Sequence, residues 1–188
     1  MLIKTLTVGN LGTQCYIVSA DGADECLVID PGAEPARIRE AAAGKRIAAI
    51  LLTHGHFDHI GAVGALMEAG TRLMIHPADA PMLSDPQLNA GAEMTGERIT
   101  APAPTDPVRE GDVLSVAGLA VTVLHTPGHT PGGVCYQIGN DLFTGDTLFE
   151  HGWGRTDLPG GNEHEMMASL RRLLRLHKAM PIHPGHGG

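Results

Sequence analysis

The chain has 188 residues, of which 43% are hydrophobic and 3% aromatic, with a formal net charge of −8. That length can bury a sizeable core without staples, and the acidic balance excludes a nonspecific nucleic-acid surface, which needs clustered Lys and Arg. No apolar run approaches membrane-spanning length and Met1-Leu2-Ile3-Lys4-Thr5 lacks a signal-peptide pattern, so no membrane partner and a cytoplasmic location are expected.

Residues 2–8 and 14–19 read as strands joined through Gly9-Asn10-Leu11-Gly12, and 26–29 as a third ending at Asp30-Pro31-Gly32. Asp30 could support a site from that strand end, although turn initiation is the favoured role. An Ala-rich helix is predicted over 35–43, with Pro35 in its first turn and Gly44 closing it. The continuous apolar run 47–52 reads as a buried strand that delivers Thr53-His54-Gly55-His56-Phe57-Asp58-His59 onto a loop. A helix over 60–69, a strand over 72–76 and a helical turn at 78–83 follow. From about 84 to 107 the periodicity fades, which predicts a surface excursion or a flap over the site.

Strands at 112–116 and 119–125 lead to Thr126-Pro127-Gly128-His129-Thr130-Pro131-Gly132-Gly133. A hairpin over 134–138 and 141–144, around Gly139-Asn140, places Gly145-Asp146 just beyond a strand. A glycine-rich loop, 151–161, precedes a helix over 163–176. Asn162 is its N-cap, Glu165 stands at the capping-box position, and Met166, Met167, Leu170, Leu173 and Leu174 form its apolar face. A last strand at 180–183 precedes Pro184-Gly185-His186-Gly187-Gly188. The recurrence of both element types favours a layered α/β protein with one catalytic edge. Cys15, Cys26 and Cys135, odd in number and in apolar contexts, read as buried thiols.

Three imidazoles and one carboxylate within 54–59 are poorly explained by chance, and His with Asp suits zinc, iron or manganese. Gathering such residues from strand ends beside glycine gives His54, His56, Asp58, His59, His129, Asp146 and His186. Seven ligands are too many for one tetrahedral ion but suit two divalent ions sharing one carboxylate. The glycines beside His129, Asp146 and His186 are expected to turn the backbone sharply and keep the cavity open. His76, His125, His151, His164, His177 and His183 lack comparable clustering and read as surface or packing residues, His183 being the least secure exclusion.

His54-x-His56-x-Asp58-His59, Thr126-Pro127-Gly128-His129-Thr130, Phe143-Thr144-Gly145-Asp146-Thr147-Leu148-Phe149 and Pro184-Gly185-His186-Gly187, together with Asp30-Pro31-Gly32, resemble the metallo-β-lactamase superfamily. Within it the pattern is similar to glyoxalase II, or hydroxyacylglutathione hydrolase, particularly its short bacterial relatives. The resemblance implies one domain over 1–188, a four-layer αββα sandwich without the C-terminal helical extension of long glyoxalase II. It also implies two metal ions, most readily zinc. His54, His56 and His129 would hold the first, Asp58, His59 and His186 the second, with Asp146 bridging. Asp146 in a Thr-Gly-Asp context looks like the glyoxalase and lactonase branch rather than true β-lactamases, which place a Cys there.

The implied reaction is thioester hydrolysis by a metal-bridging hydroxide, with Asp58 orienting the nucleophile and a small-molecule substrate, possibly a glutathione thioester. Arg155 matches a basic residue that the family uses near glutathione, and its alternative role is an ion pair with Asp157, which stands where long enzymes place an aromatic. The sequence stops two residues after His186, so the expectation is that either the chain is truncated or one pocket wall is missing or supplied by another subunit. Other readings are a lactonase, a non-catalytic binding module, and a mononuclear iron persulfide dioxygenase using only His54, His129 and Asp146.

Overall fold

In the computed structural model, which describes residues 1–176 and 180–187, alternate side chains of each strand divide between two faces and so between two cores. One sheet runs in chain order through β1 (Leu2–Val8), β2 (Thr13–Ser19), β3 (Glu25–Ile29), β4 (Arg46–Leu51), β5 (Arg72–Ile75) and β6 (Asp106–Pro107). Its first three strands are antiparallel, and pairing from β3 onward is parallel. The other sheet is built from β7 (Val113–Val116), β8 (Leu119–His125), β9 (Val134–Ile138), β10 (Asp141–Gly145) and β13 (Ile182–Pro184), in the order β13-β10-β9-β8-β7. β11 (Leu148–Phe149) and β12 (Gly152–Trp153) pair as a small hairpin, and β12 falls in the stretch 151–161 expected to be loop.

Tyr16, Val18, Leu27, Ile29 and Leu51 of the first sheet pack on Val121, Val123, Tyr136 and Phe143 of the second. Cys15, Ile17, Cys26 and Val28 point the other way, beneath α1 (Pro35–Ala42), α2 (Phe57–Ile60) and α3 (Val63–Leu66). Leu124, Cys135 and Leu142 pack against Leu173 of α5 (Glu163–Leu176). The result is helix, sheet, sheet, helix: the metallo-β-lactamase fold as an αββα sandwich. Each fully buried aliphatic or aromatic side chain contributes about 1.5–3 kcal/mol. The two sheets are also tied by polar contacts: Tyr136 Oη donates to the Leu52 carbonyl at 2.8 Å, and Val134 N to the Thr53 carbonyl at 2.8 Å.

Several expectations are corrected. The helix expected over 60–69 is instead α2 and α3, interrupted where Gly61 backs onto the Gly32 carbonyl and Ala62 N donates to the Pro31 carbonyl at 2.9 Å. Leu174 is not part of the buried face of α5, being 55% exposed. Asn162 does cap α5, accepting from Glu165 N at 3.1 Å, while its own N–H goes to the Gly128 carbonyl. The expectation for His177 lies outside the described residues.

The stretch from 84 to 107 is anchored rather than a free excursion. It contains α4 (Gly91–Thr95) and β6, and the buried Asn89 amide donates to the carbonyls of Met82 and Ile99 while its oxygen accepts from Gly91 N. Replacing Asn89 with Ala leaves the buried Met82 carbonyl, the partly buried Ile99 carbonyl and the Gly91 N–H without these partners. The expected cost is about 2–4 kcal/mol, read as a lower urea midpoint, with faster amide exchange across 84–101.

Candidate metal centre

The site is assembled at one edge of the sandwich from the ends of strands of both sheets. The exit of β4 carries His54 and His56, α2 supplies Asp58 and His59, and the loops after β8, β10 and β13 carry His129, Asp146 and His186. All seven residues expected from the sequence converge there. The neighbouring glycines serve close contact rather than an open cavity. Gly145 (φ 48°) is pressed on Thr53, and any side chain at Gly185 would collide with Asp146 Oδ1.

Three groups of candidate ligands form, His54–His56–His129, Asp58–His59–His186 and Asp30–His54–His59, of which the first two share no residue. His56 Nδ1 lies 2.9 Å from His129 Nε2, while His186 Nε2 and His59 Nε2 lie 3.3 and 3.5 Å from Asp58 Oδ2. Asp146 sits between those first two groups: Oδ2 is 3.4 Å from both His129 Nε2 and His186 Nε2, and Oδ1 is 3.5 Å from His59 Nε2. Ligand atoms held about 2.0–2.2 Å from one cation lie about 3–3.5 Å from one another, which is the spacing seen.

Hydrogen bonding points the same way. A carbonyl only accepts, so His129 Nδ1 donates to Arg155 O at 2.6 Å and His186 Nδ1 to Leu11 O at 3.2 Å, which makes Nε2 the nitrogen of each ring that a cation would take in place of any proton. His59 Nδ1 is held by Asp30 Oδ2 at 3.0 Å, and His54 Nδ1 by Thr53 Oγ1 at 3.0 Å. The Nε2 atoms of His54, His56 and His59 and Oδ1 of Asp146 are buried without a hydrogen-bond partner. Unpaired buried polar atoms are costly, and a cation at the centre answers the three donor atoms that face it: His54 Nε2, His59 Nε2 and Asp146 Oδ1. His56 Nε2 is the exception, since Nδ1 is the atom that His56 turns toward His129.

The electrostatics split the histidines. Burial drives His54 well below the ordinary imidazole range and His56 to about 3, with neighbouring imidazoles adding to the effect. Burial acts the same way on His59 but is outweighed by Asp58, Asp146 and Asp30, which raise it to about 9. His186 is likewise raised to about 10 against its burial, by Asp146 and Asp58. Burial alone would raise Asp58 and Asp146, yet His59 and His186 hold both below the usual carboxylate range.

Asp30 is corrected from turn initiator to structural partner of the site. It is 1% exposed and accepts from Thr53 N at 2.8 Å and Thr53 Oγ1 at 2.6 Å besides holding His59. Asp79 escaped sequence reasoning altogether. Fully buried, it accepts from Gly55 N (3.2 Å), Thr130 Oγ1 (2.6 Å) and Gly132 N (2.6 Å), clamping the loop of His54 and His56 to the loop of His129. Its signal was positional: like Asp30, it follows a strand at the site edge. His183 is held away from the site by Asp141 Oδ1 at 2.8 Å and stacks on Phe143. The three cysteines are buried free thiols, as expected.

Arg155 reaches the site through its backbone carbonyl, whereas its guanidinium forms a two-bond pair with Asp157 at 2.7 and 2.7 Å in solvent. The site opens into a cavity of about 230 Å³ whose walls include Phe57, Asp58, Phe149, Leu158 and His186.

The profile of the Metallo-beta-lactamase superfamily matches residues 8–186. A probable metallo-hydrolase of Bacillus subtilis is 38% identical over 191 residues, covering 98% of this chain and 89% of its own length. A hydroxyacylglutathione hydrolase of Aeromonas hydrophila is 37% identical over 172 residues, 91% of this chain but 60% of its own length. Among solved structures, BLEG-1 B3 metallo-beta-lactamase superimposes with a TM-score of 0.91 at 34% identity over all of this chain and 92% of its own. TTHA1623 in a di-iron-bound form gives 0.86 at 39% identity, covering 98% and 92% of the two chains. ETHE1 from Myxococcus xanthus gives 0.80 at 30% identity, covering 100% and 76%.

Two predictions follow from the geometry. Asp79→Ala should weaken metal binding by about 10–100-fold, and Asp79→Asn, which keeps one acceptor, by less; chelator competition measures both. The second concerns pH. His59 and His186 stand above their ordinary value of 6.5, so in metal-free protein their ion pairs stabilise the fold fully below about pH 6.5. That contribution is lost as pH rises through about 9 and then about 10. A cation needs both imidazoles neutral, so filling their triad at pH 7 should release protons and its affinity should climb with pH until about 9–10. Titration calorimetry in buffers of different ionisation enthalpy counts the protons.

Proposed function

This chain belongs to the metallo-beta-lactamase superfamily, and from that premise we propose that it is a metal-dependent hydrolase that cleaves a thioester. The observation that carries the reading is the position of Asp146, one of whose oxygens lies 3.4 Å from both His129 and His186. His54, His56 and His129 would hold one ion, Asp58, His59 and His186 the other, and Asp146 both. Two divalent ions there would supply Lewis acidity toward a carbonyl and acidify a water to a pKa of about 7. Zinc suits the donor set best, and iron or manganese is compatible with it.

The chain's own groups supply the rest. Thr13 Oγ1 donates to Asp58 Oδ2 at 2.8 Å, which fixes the carboxylate so that it can orient the attacking water by hydrogen bonding. Phe57, Phe149 and Leu158 shield the reacting carbonyl from bulk solvent. Water oxygen bonds to the carbonyl carbon, the C–S bond breaks, and the products are a carboxylic acid and a thiol. A thiol has a pKa of roughly 8.5, so the thiolate departs without a strong acid, and the site offers none beyond its ligand residues. A lactone would release a far more basic alkoxide, which makes lactonase activity the second reading for this geometry. A mononuclear iron dioxygenase would leave Asp58, His59 and His186 idle, yet Thr13, Asp30 and the Leu11 carbonyl hold each of them in place.

Protein purified without chelator should carry about two divalent ions per chain and hydrolyse thioesters in a panel that also contains lactones and a β-lactam. Asp146→Ala and Asp58→Ala should each lower kcat by at least about 100-fold, with loss or misplacement of metal. One iron per chain with oxygen consumption on a persulfide, or near-native turnover by either variant at full metal content, would overturn the assignment.

A further inference from the structure

Beside the site cavity lies a larger groove of about 730 Å³, within the size range of small-molecule pockets. The two share Leu11, Phe57, Asp58 and Met94, so the groove opens directly onto the reacting centre. Its walls combine apolar and uncharged polar groups with three carboxylates, Asp58, Glu34 and Glu97, and carry no Lys or Arg. Leu11 and Met94, 47% and 45% exposed, line it together with Ile99 and Ala33, and Asn10 and Thr95 add uncharged polar groups. Half-exposed Leu and Met side chains on either side of a reaction site leave apolar surface that a ligand can cover.

The charges beside this groove are acidic or already neutralised. Among the described residues lining the two cavities, Arg155 is the one Lys or Arg, and Asp157 occupies its guanidinium with two hydrogen bonds. Glu93 adds a further negative charge near Arg155. Glu97 lines the groove as an exposed carboxylate, and Glu34 lines it paired with Arg37. A glutathione arm brings two carboxylates and one ammonium, a net negative charge, and finds no free Lys or Arg among the described residues lining this path. Like charges within the Debye length of about 8 Å repel it.

We infer that the groove takes the long arm of the substrate and that this arm is uncharged and apolar, so that the preferred thioester is one of a neutral thiol rather than of glutathione. The inference rests on the thioester reading for the place of the sulfur at the centre, but the selectivity of the groove can be measured without turnover. The probes are two non-hydrolysable thioethers of similar reach, the methyl thioether of N-hexanoylcysteamine and S-methylglutathione, titrated into metal-loaded protein at low salt.

The neutral thioether should bind at least about tenfold tighter. Leu11→Ser and Met94→Ser, both at half-exposed positions the fold tolerates, should each cut its affinity several-fold, and the Leu11 carbonyl that holds His186 is retained. Glu97→Gln with Asp157→Asn should improve binding of S-methylglutathione alone, and added salt should narrow the gap between the probes. Equal or tighter binding of S-methylglutathione, or indifference of the neutral probe to both serine variants, overturns the inference. Selective binding without hydrolysis of either parent thioester leaves the groove assignment standing and sinks the hydrolase reading instead.

Discussion

The site depends on one buried anion that faces away from its centre. Asp30 ends β3 with a left-handed backbone (φ 51°) directly before Pro31, a conformation that costs a non-glycine residue about 1–2 kcal/mol. The return is three contacts: the N–H and hydroxyl of Thr53 and the Nδ1 of His59. Through Thr53 it steadies the loop that carries His54, and through His59 it sets which nitrogen points inward. Asp79 does the corresponding work between that loop and the loop of His129. Two carboxylates behind the centre thus hold what the two carboxylates within it, Asp58 and Asp146, would share with the ions.

This arrangement also explains how so many imidazoles can be packed together. Burial favours the neutral form of His54 and His56, whereas the surrounding carboxylates favour the charged form of His59 and His186. A cation entering beside His59 and His186 would take the place of protons on those rings.

The elements that could be read from the sequence are those whose cause is local. The apolar run 47–52, the hairpin around Gly139-Asn140 and the amphipathic helix from 163 follow from periodicity and turn chemistry, and the ligand residues stand out because they sit just past such strands. What escaped has a distant cause. The helix after His59 breaks where Gly61 meets Gly32, in the loop that follows β3. Asp79 matters through partners 24 to 53 positions away. The glycines were read as making space, yet at Gly145 and Gly185 they let backbones close onto Thr53 and Asp146. β11 and β12 are two residues each, too short for any period to show.

The closure of the sandwich at residue 186 imposes an order in time. His186 is placed by strands that meet only late: β13 lies parallel to β10, Tyr16 Oη donates to the Pro184 carbonyl at 2.6 Å, Gln14 N donates to Gly185 O at 2.7 Å, and His186 itself reaches the Leu11 carbonyl 175 positions back. Contacts of such separation form slowly, because most of the chain must already be folded before they are rewarded. During synthesis His54, His56 and His129 all emerge well before residue 186, and Asp30 and Asp79 emerge with them. β13 thus brings the third partner to Asp58 and His59, so that group of candidate ligands is complete only after pairing across most of the described chain.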